Sequence, residues 1–125
     1  RPLSYSYPLR VLNTVPGVDG PALRLGEPLR LAYDRCNSAA DTVSITIQIF
    51  YTRLRPTVQV EVAKTNILHG VIPPGCLQDI AVSFDLPAEV TAGVWQYKSR
   101  IEVVKNGKVR QTVANQSLDF TVVGP

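Results

Sequence analysis

Apolar residues recur at every second position along most of this chain, and that period admits strands while excluding helices as the main building unit. The clearest stretch sets Val43, Ile45, Ile47, Ile49 and Tyr51 on one side and Thr42, Ser44, Thr46 and Gln48 on the other. Its β-branched content suits a pleated surface with one wet face. Leu31 and Tyr33 alternate with Arg30 and Asp34 in the same way. Val58, Val60 and Val62 alternate with Gln59 and Glu61, and Ile80, Val82, Phe84 and Leu86 with Ser83 and Asp85; Asp79, just before them, is also read as outward. Trp95, Tyr97, Ile101 and Val103 share one face of a later segment, and Asn106-Gly107 supplies the left-handed pair of a two-residue hairpin turn. The return strand runs from Val109 to Val113 and resumes at Leu118, Phe120 and Val122, with a bulge or bend over Ala114 to Ser117.

Shorter segments fill the gaps. Leu23 to Leu25 reads as a short strand between the turns at Pro16-Gly17, Asp19-Gly20-Pro21 and Gly26-Glu27-Pro28. Asn66 to Ile72 reads as another, and Arg53 to Pro56 as a break. No stretch of ten or more residues carries a helical period. The expectation is an all-β sandwich of about seven or eight antiparallel strands. Residues 1–13 hold Pro2 and Pro8 and read as an extended N-terminal arm adding an edge strand near Leu9 to Leu12; residues 14–125 form the sandwich domain.

At 125 residues the chain suits one domain, and 45% hydrophobic against 18% charged residues excludes a disordered tail. Apolar runs are too short to span a bilayer, so any export signal or membrane anchor is expected outside these residues. Arg1 in first place fits a processed fragment.

Cys36 and Cys76 are the only cysteines. Cys36 follows the Leu29, Leu31, Tyr33 run, and Cys76 lies in Pro73-Pro74-Gly75-Cys76 just before Ile80. If those two strands are antiparallel neighbours, the cysteines meet at one end of the sheet and can form a disulfide. It would close a loop of about 41 residues, worth roughly 4 kcal/mol on the chain-entropy model. Such a bond places the protein outside the reducing cytosol.

Chemistry for catalysis is missing. His69, read as a loop residue, is the only histidine, and the cysteines lack the close spacing of zinc sites. There is no phosphate-binding glycine loop and no serine elbow. A Cys76 thiolate activated by His69 would need a free thiol, which the disulfide reading denies it. Asp79 and Asp85 lie roughly 20 Å apart along an extended strand, too far to share a substrate bond. Asn115-Gln116-Ser117 is a formal glycosylation sequon of little weight. Trp95 next to Tyr97 would suit sugar stacking if exposed, but its position on the inward face makes it core. No enzyme activity, metal or cofactor is expected.

The net charge of +3 comes from dispersed basic residues. Lys98, Arg100, Lys105, Lys108 and Arg110 form the densest group, read as a solvated strand edge that discourages aggregation. No aromatics interleave with them, so no nucleic acid partner is expected. Tyr5, Tyr7, Lys98, Arg100, Lys108 and Arg110 are the candidate partner contacts.

The order of landmarks is also distinctive: Gly26-Glu27-Pro28-Leu29-Arg30-Leu31, Arg35-Cys36-Asn37, Ile72-Pro73-Pro74-Gly75-Cys76, Leu86-Pro87, Ala92-Gly93-Val94-Trp95-Gln96-Tyr97 and Leu118-Asp119-Phe120-Thr121-Val122. Over roughly residues 8–122 it resembles the small immunoglobulin-like proteins encoded by tailed bacteriophages, several of which carry an N-terminal membrane segment. The resemblance implies a cysteine-stapled sandwich displayed outside the cytoplasm, with Cys36 and Cys76 at that pattern's paired cysteines and no catalytic residues. The expected role is a non-enzymatic structural or interaction module, first as a capsid decoration or tail accessory contacting capsid or tail subunits on the virion surface. The alternatives are the periplasmic or extracellular head of a membrane-anchored phage protein and a secreted carbohydrate-binding or adhesin module; self-association stays open.

Overall fold

The computed structural model describes residues 3–55, 60–114 and 116–125. Ten strands run in order: β1 Leu3–Val11, β2 Ala22–Arg24, β3 Leu29–Asn37, β4 Val43–Arg55, β5 Val60–Lys64, β6 Leu68–Ile72, β7 Gly75–Phe84, β8 Gly93–Lys105, β9 Lys108–Ala114 and β10 Leu118–Val123. No helix occurs among the described residues. One sheet has the order β1-β3-β7; the other has β2-β10-β8-β4-β5, with β6 also on β4 and β9 also on β8. The strand count exceeds the expected seven or eight because β5, β6, β9 and β10 are short strands sharing the flanks of two long ones. Nor are all pairs antiparallel: β2 lies parallel to β10, Ala22 opposite Thr121.

The inward residues of the two sheets face each other. Leu9, Leu29 and Leu31 from one pack with Ile49, Tyr51, Trp95, Tyr97, Phe120 and Val122 from the other. A second cluster joins Leu3 to Ile45, Ile72, Ile101 and Val103. The division falls at Ser99, which takes the inward place between Tyr97 and Ile101 on β8 and is buried although polar. β4 and β8 form the spine, paired from Ser44↔Val104 to Arg55↔Val94. β4 therefore continues to Arg55, past the expected break at Arg53, because β8 supplies backbone partners that far.

Residues 1–13, expected as an arm, contribute β1, which follows β3 from Leu3↔Asn37 to Val11↔Leu31 with an irregularity between Ser6 and Arg10. Asn106 and Gly107 have φ of 53° and 72°, the two left-handed residues a type I′ turn demands. Among the described residues Asp79 is the other non-glycine with positive φ, 55°. It sits where the β3–β7 register shifts, and the Asp34 carboxylate accepts its backbone N–H at 2.8 Å.

Tyr51 is fully buried, edge-on to Tyr97 and Phe120 at ring-centroid distances of 6.1 and 6.3 Å. Its hydroxyl finds no hydrogen-bond partner among the described residues. Burial pushes that hydroxyl far above its ordinary 10.0, and Tyr97 adds to the rise. Burial also raises Tyr33, against an opposing pull from Arg35. Tyr97 is raised by burial, with a smaller lowering from its hydrogen bond to Ser99 and a further rise from Tyr33. In each case the native state holds its proton above pH 10 while the unfolded chain releases it. The stability these tyrosines contribute is complete below pH 10 and falls as pH rises beyond it. Tyr51→Phe removes an unsatisfied buried hydroxyl, worth about 1 kcal/mol. We expect it to raise the melting temperature by about 4 °C and to shift the alkaline unfolding midpoint upward. Thermal melts and absorbance titration at alkaline pH check both.

Candidate interaction surface

Cys36 and Cys76 stand directly opposite each other on β3 and β7. They form a disulfide with Cα atoms 4.1 Å apart, close to the spacing of a non-hydrogen-bonded pair. The bond therefore lies within one sheet, at the end of two adjacent antiparallel strands, as the sequence suggested. Beside it Asn37 is almost fully buried and works as a polar pin. Its Nδ2 donates to the Ile72 carbonyl at 3.0 Å and the Asp41 carbonyl at 3.2 Å, and its Oδ1 accepts the Ala39 N–H at 3.0 Å. The bond to Ile72 ties β3 to β6 and hence one sheet to the other.

The two flanks of the molecule differ. On one, the Gln111 side chain of β9 bridges to the β1 backbone: its Nε2 donates to the Leu3 carbonyl at 2.7 Å and its Oε1 accepts the Leu3 N–H at 3.3 Å. This clasps β9 to the start of β1 on that side. On the other flank, among the described residues, β6 pairs only with β4, and β7 only with β3. Pro73-Pro74 carries the chain from one free edge to the other. Ile67, Leu68, Val71 and Leu77 are all exposed here, Val71 at 64% of its surface. Residues 65–78 contain no Asp, Glu, Lys or Arg. Free edges are usually guarded by charges, proline or bulges; β7 has its Asp79 bulge, whereas β6 has none of these.

His69 belongs to strand β6 opposite Thr46, a correction to its expected loop position, and is exposed. Cys76 is engaged in the disulfide and cannot act as a thiolate. The basic group does not form one edge. Lys98 and Arg100 point outward from β8, a strand flanked on both sides, opposite Phe50 and Gln48 of β4. Tertiary pairing puts β8 at the centre of its sheet, where those cations decorate a face. Arg100 meets Glu102 at 3.1 Å. Lys108 and Arg110 are exposed on β9 near the hairpin tip, Arg110 at its register shift. These four candidates thus divide between a sheet face and a hairpin end. Tyr5 lies opposite Arg35 in register; the side chains of Tyr5 and Tyr7, and position Asn115, lie outside the described residues. Asp79 meets Arg10 at 3.0 Å on the exposed surface.

Trp95 is fully buried, as its inward position implied. Its Nε1 donates to the Thr91 carbonyl at 2.8 Å, and the Arg53 guanidinium lies 4.8 Å from its ring centre. Arg53 also donates to the Ala92 carbonyl and the Thr91 hydroxyl. Among the described residues no His, Cys, Asp and Glu cluster could hold a metal, and no helix is long and apolar enough to cross a membrane.

No protein-family model matches the chain, and no curated protein matches it. The uncharged edge formed by β6 and the start of β7, escaping sequence reasoning, is the feature best suited to contact. Its signal was present as the charge-free run through residues 65–78.

Proposed function

We propose that this protein is a non-enzymatic, extracytoplasmic interaction module of immunoglobulin-like topology that docks a protein partner along the open β6 edge. The observation carrying this reading is an uncharged free strand with exposed Leu68 and Val71, opposite a flank where Gln111 clasps Leu3. Such an edge offers backbone groups for strand addition and apolar side chains for contact. The disulfide is compatible with a location outside the cytoplasm.

The strand orders support the immunoglobulin-like assignment. Taking β1, β3 and β7 as A, B and E, and β10, β8, β4 and β5 as G, F, C and C′, they are A-B-E and G-F-C-C′. Antibody domains instead carry a disulfide between sheets and a tryptophan on strand C, so the assignment rests on connectivity. Among the described residues, strand D of the constant-type arrangement has no counterpart beside β7, which leaves that edge free.

The resemblance in landmark order favours a tailed-phage virion as the setting, with capsid or tail subunits as partners. Mass spectrometry of purified particles tests it, with fixed copy number expected. Absence from particles removes the virion setting. Val71→Lys tests the docking edge separately: a surface substitution of this kind changes stability by about 0.5 kcal/mol or less. The folded variant should fail to incorporate, and equal incorporation would remove β6 as the contact.

A further inference from the structure

Between the two sheets, where Ser99 interrupts the core, lies a cavity of about 190 Å³. Its walls are Leu31, Val82 and Phe84 on one side and Ile47 and Ile101 on the other, with Tyr33, Tyr97 and Ser99 as its polar members. Val82, Phe84, Ile47 and Tyr33 remain partly exposed while Leu31, Tyr97 and Ile101 are buried. The cavity is therefore deep at β8 and opens on the β7 side, where no further strand among the described residues extends the three-stranded sheet.

We propose that this cavity is a binding site for a small uncharged molecule with an apolar ring or short alkyl body and a single hydrogen-bonding oxygen. Size sets the body: an apolar cavity of about 150 Å³ is enough to take up benzene. Lining sets the charge: no wall residue is a Lys, Arg, Asp or Glu, and a carboxylate or ammonium would be desolvated there without a counter-ion. The oxygen is set by Tyr33, Tyr97 and Ser99. Tyr97 and Ser99 are hydrogen-bonded to each other, and each hydroxyl is both a donor and a two-lone-pair acceptor, so the pair can take another partner without breaking. Access follows from the partly exposed lip formed by Val82 and Phe84. This site is distinct from the β6 edge and does not depend on a partner protein.

The test is titration of the intact, disulfide-bonded protein with phenol and with benzoate at neutral pH, followed by methyl-resolved NMR. Phenol should give saturable shifts confined to Leu31, Ile47, Val82 and Ile101, half-complete near about 1 mM, a usual affinity for so few atoms. Benzoate, with the same ring and a charge, should bind about tenfold more weakly or worse. Ser99→Leu fills the floor and Val82→Phe fills the mouth; each should abolish the phenol shifts. Because Val82 is partly exposed, Val82→Phe decides the matter if Ser99→Leu fails to fold. Absence of saturation with phenol, equal binding of benzoate, or unchanged phenol shifts in the folded Val82→Phe variant would each overturn the assignment.

Discussion

Replacing both cysteines, Cys36→Ser with Cys76→Ser, is expected to lower the melting temperature by about 15 °C. The bond closes a loop spanning a sequence separation of 40, and the chain-entropy relation assigns such a loop about 4 kcal/mol. For a domain of this length each kcal/mol moves the midpoint by about 4 °C. Cys76 is exposed, so a soluble reductant should reach the bond and reproduce the effect in the unaltered protein. Thiol titration of the unreduced protein in denaturant should find no free thiol. A loss under about 5 °C would mean that the unfolded chain is already restrained, since the entropic gain depends on how freely those residues move once unfolded. Two free thiols would remove the staple and the compartment argument built on it.

Trp95→Ala should be comparably damaging, costing about 5 kcal/mol and leaving much of the protein unfolded at 37 °C. Truncating a buried tryptophan costs about 3–5 kcal/mol through lost burial and the remaining cavity, and this one has two further attachments. The Thr91 carbonyl loses its donor, and the Arg53 guanidinium loses the ring face it covers. Total stability of a domain is about 5–15 kcal/mol, so the loss consumes a large share. Trp95→Phe, which keeps a smaller aromatic ring but not the N–H, should lose only about 1–2 kcal/mol. Urea denaturation followed by circular dichroism separates the two. A mild Trp95→Ala phenotype would contradict the packing described for the Phe120 and Val122 end of the core.

Alternation made the strands legible because each face of a half-buried sheet leaves a period of two in the sequence. It placed Ile45, Ile49, Tyr51, Trp95, Tyr97, Ile101 and Val103 inward, where they are buried. The cysteine pairing was legible for the same reason, since it needed only two strands to be antiparallel neighbours. Neighbour relations across the molecule left no such mark. Nothing local indicates that β2 lies parallel to β10, or that β8 is flanked on both sides so that Lys98 and Arg100 occupy a face. Asn37 stood among the landmarks, but its reach to the Ile72 carbonyl depends on how the sheets meet. Ser99 was the overlooked clue: one small polar residue in an inward series of large ones marks the place where the core divides and the cavity opens. On β6 the informative signal was an absence of charge, easily passed over beside residues that carry chemistry.

The Gln111 clasp on Leu3 joins positions separated by 108 residues, and β2 rests against β10 in the final stretch. The first cannot form before β9 exists, nor the second before β10. During synthesis β1 and β2 must therefore wait, their outer edges uncovered, until β9 and β10 have emerged, and contacts of such sequence separation close slowly. A protein built this way gains its clasped flank in one late step, so a C-terminal truncation before β9 should yield a sticky, unfinished molecule in place of a smaller working one.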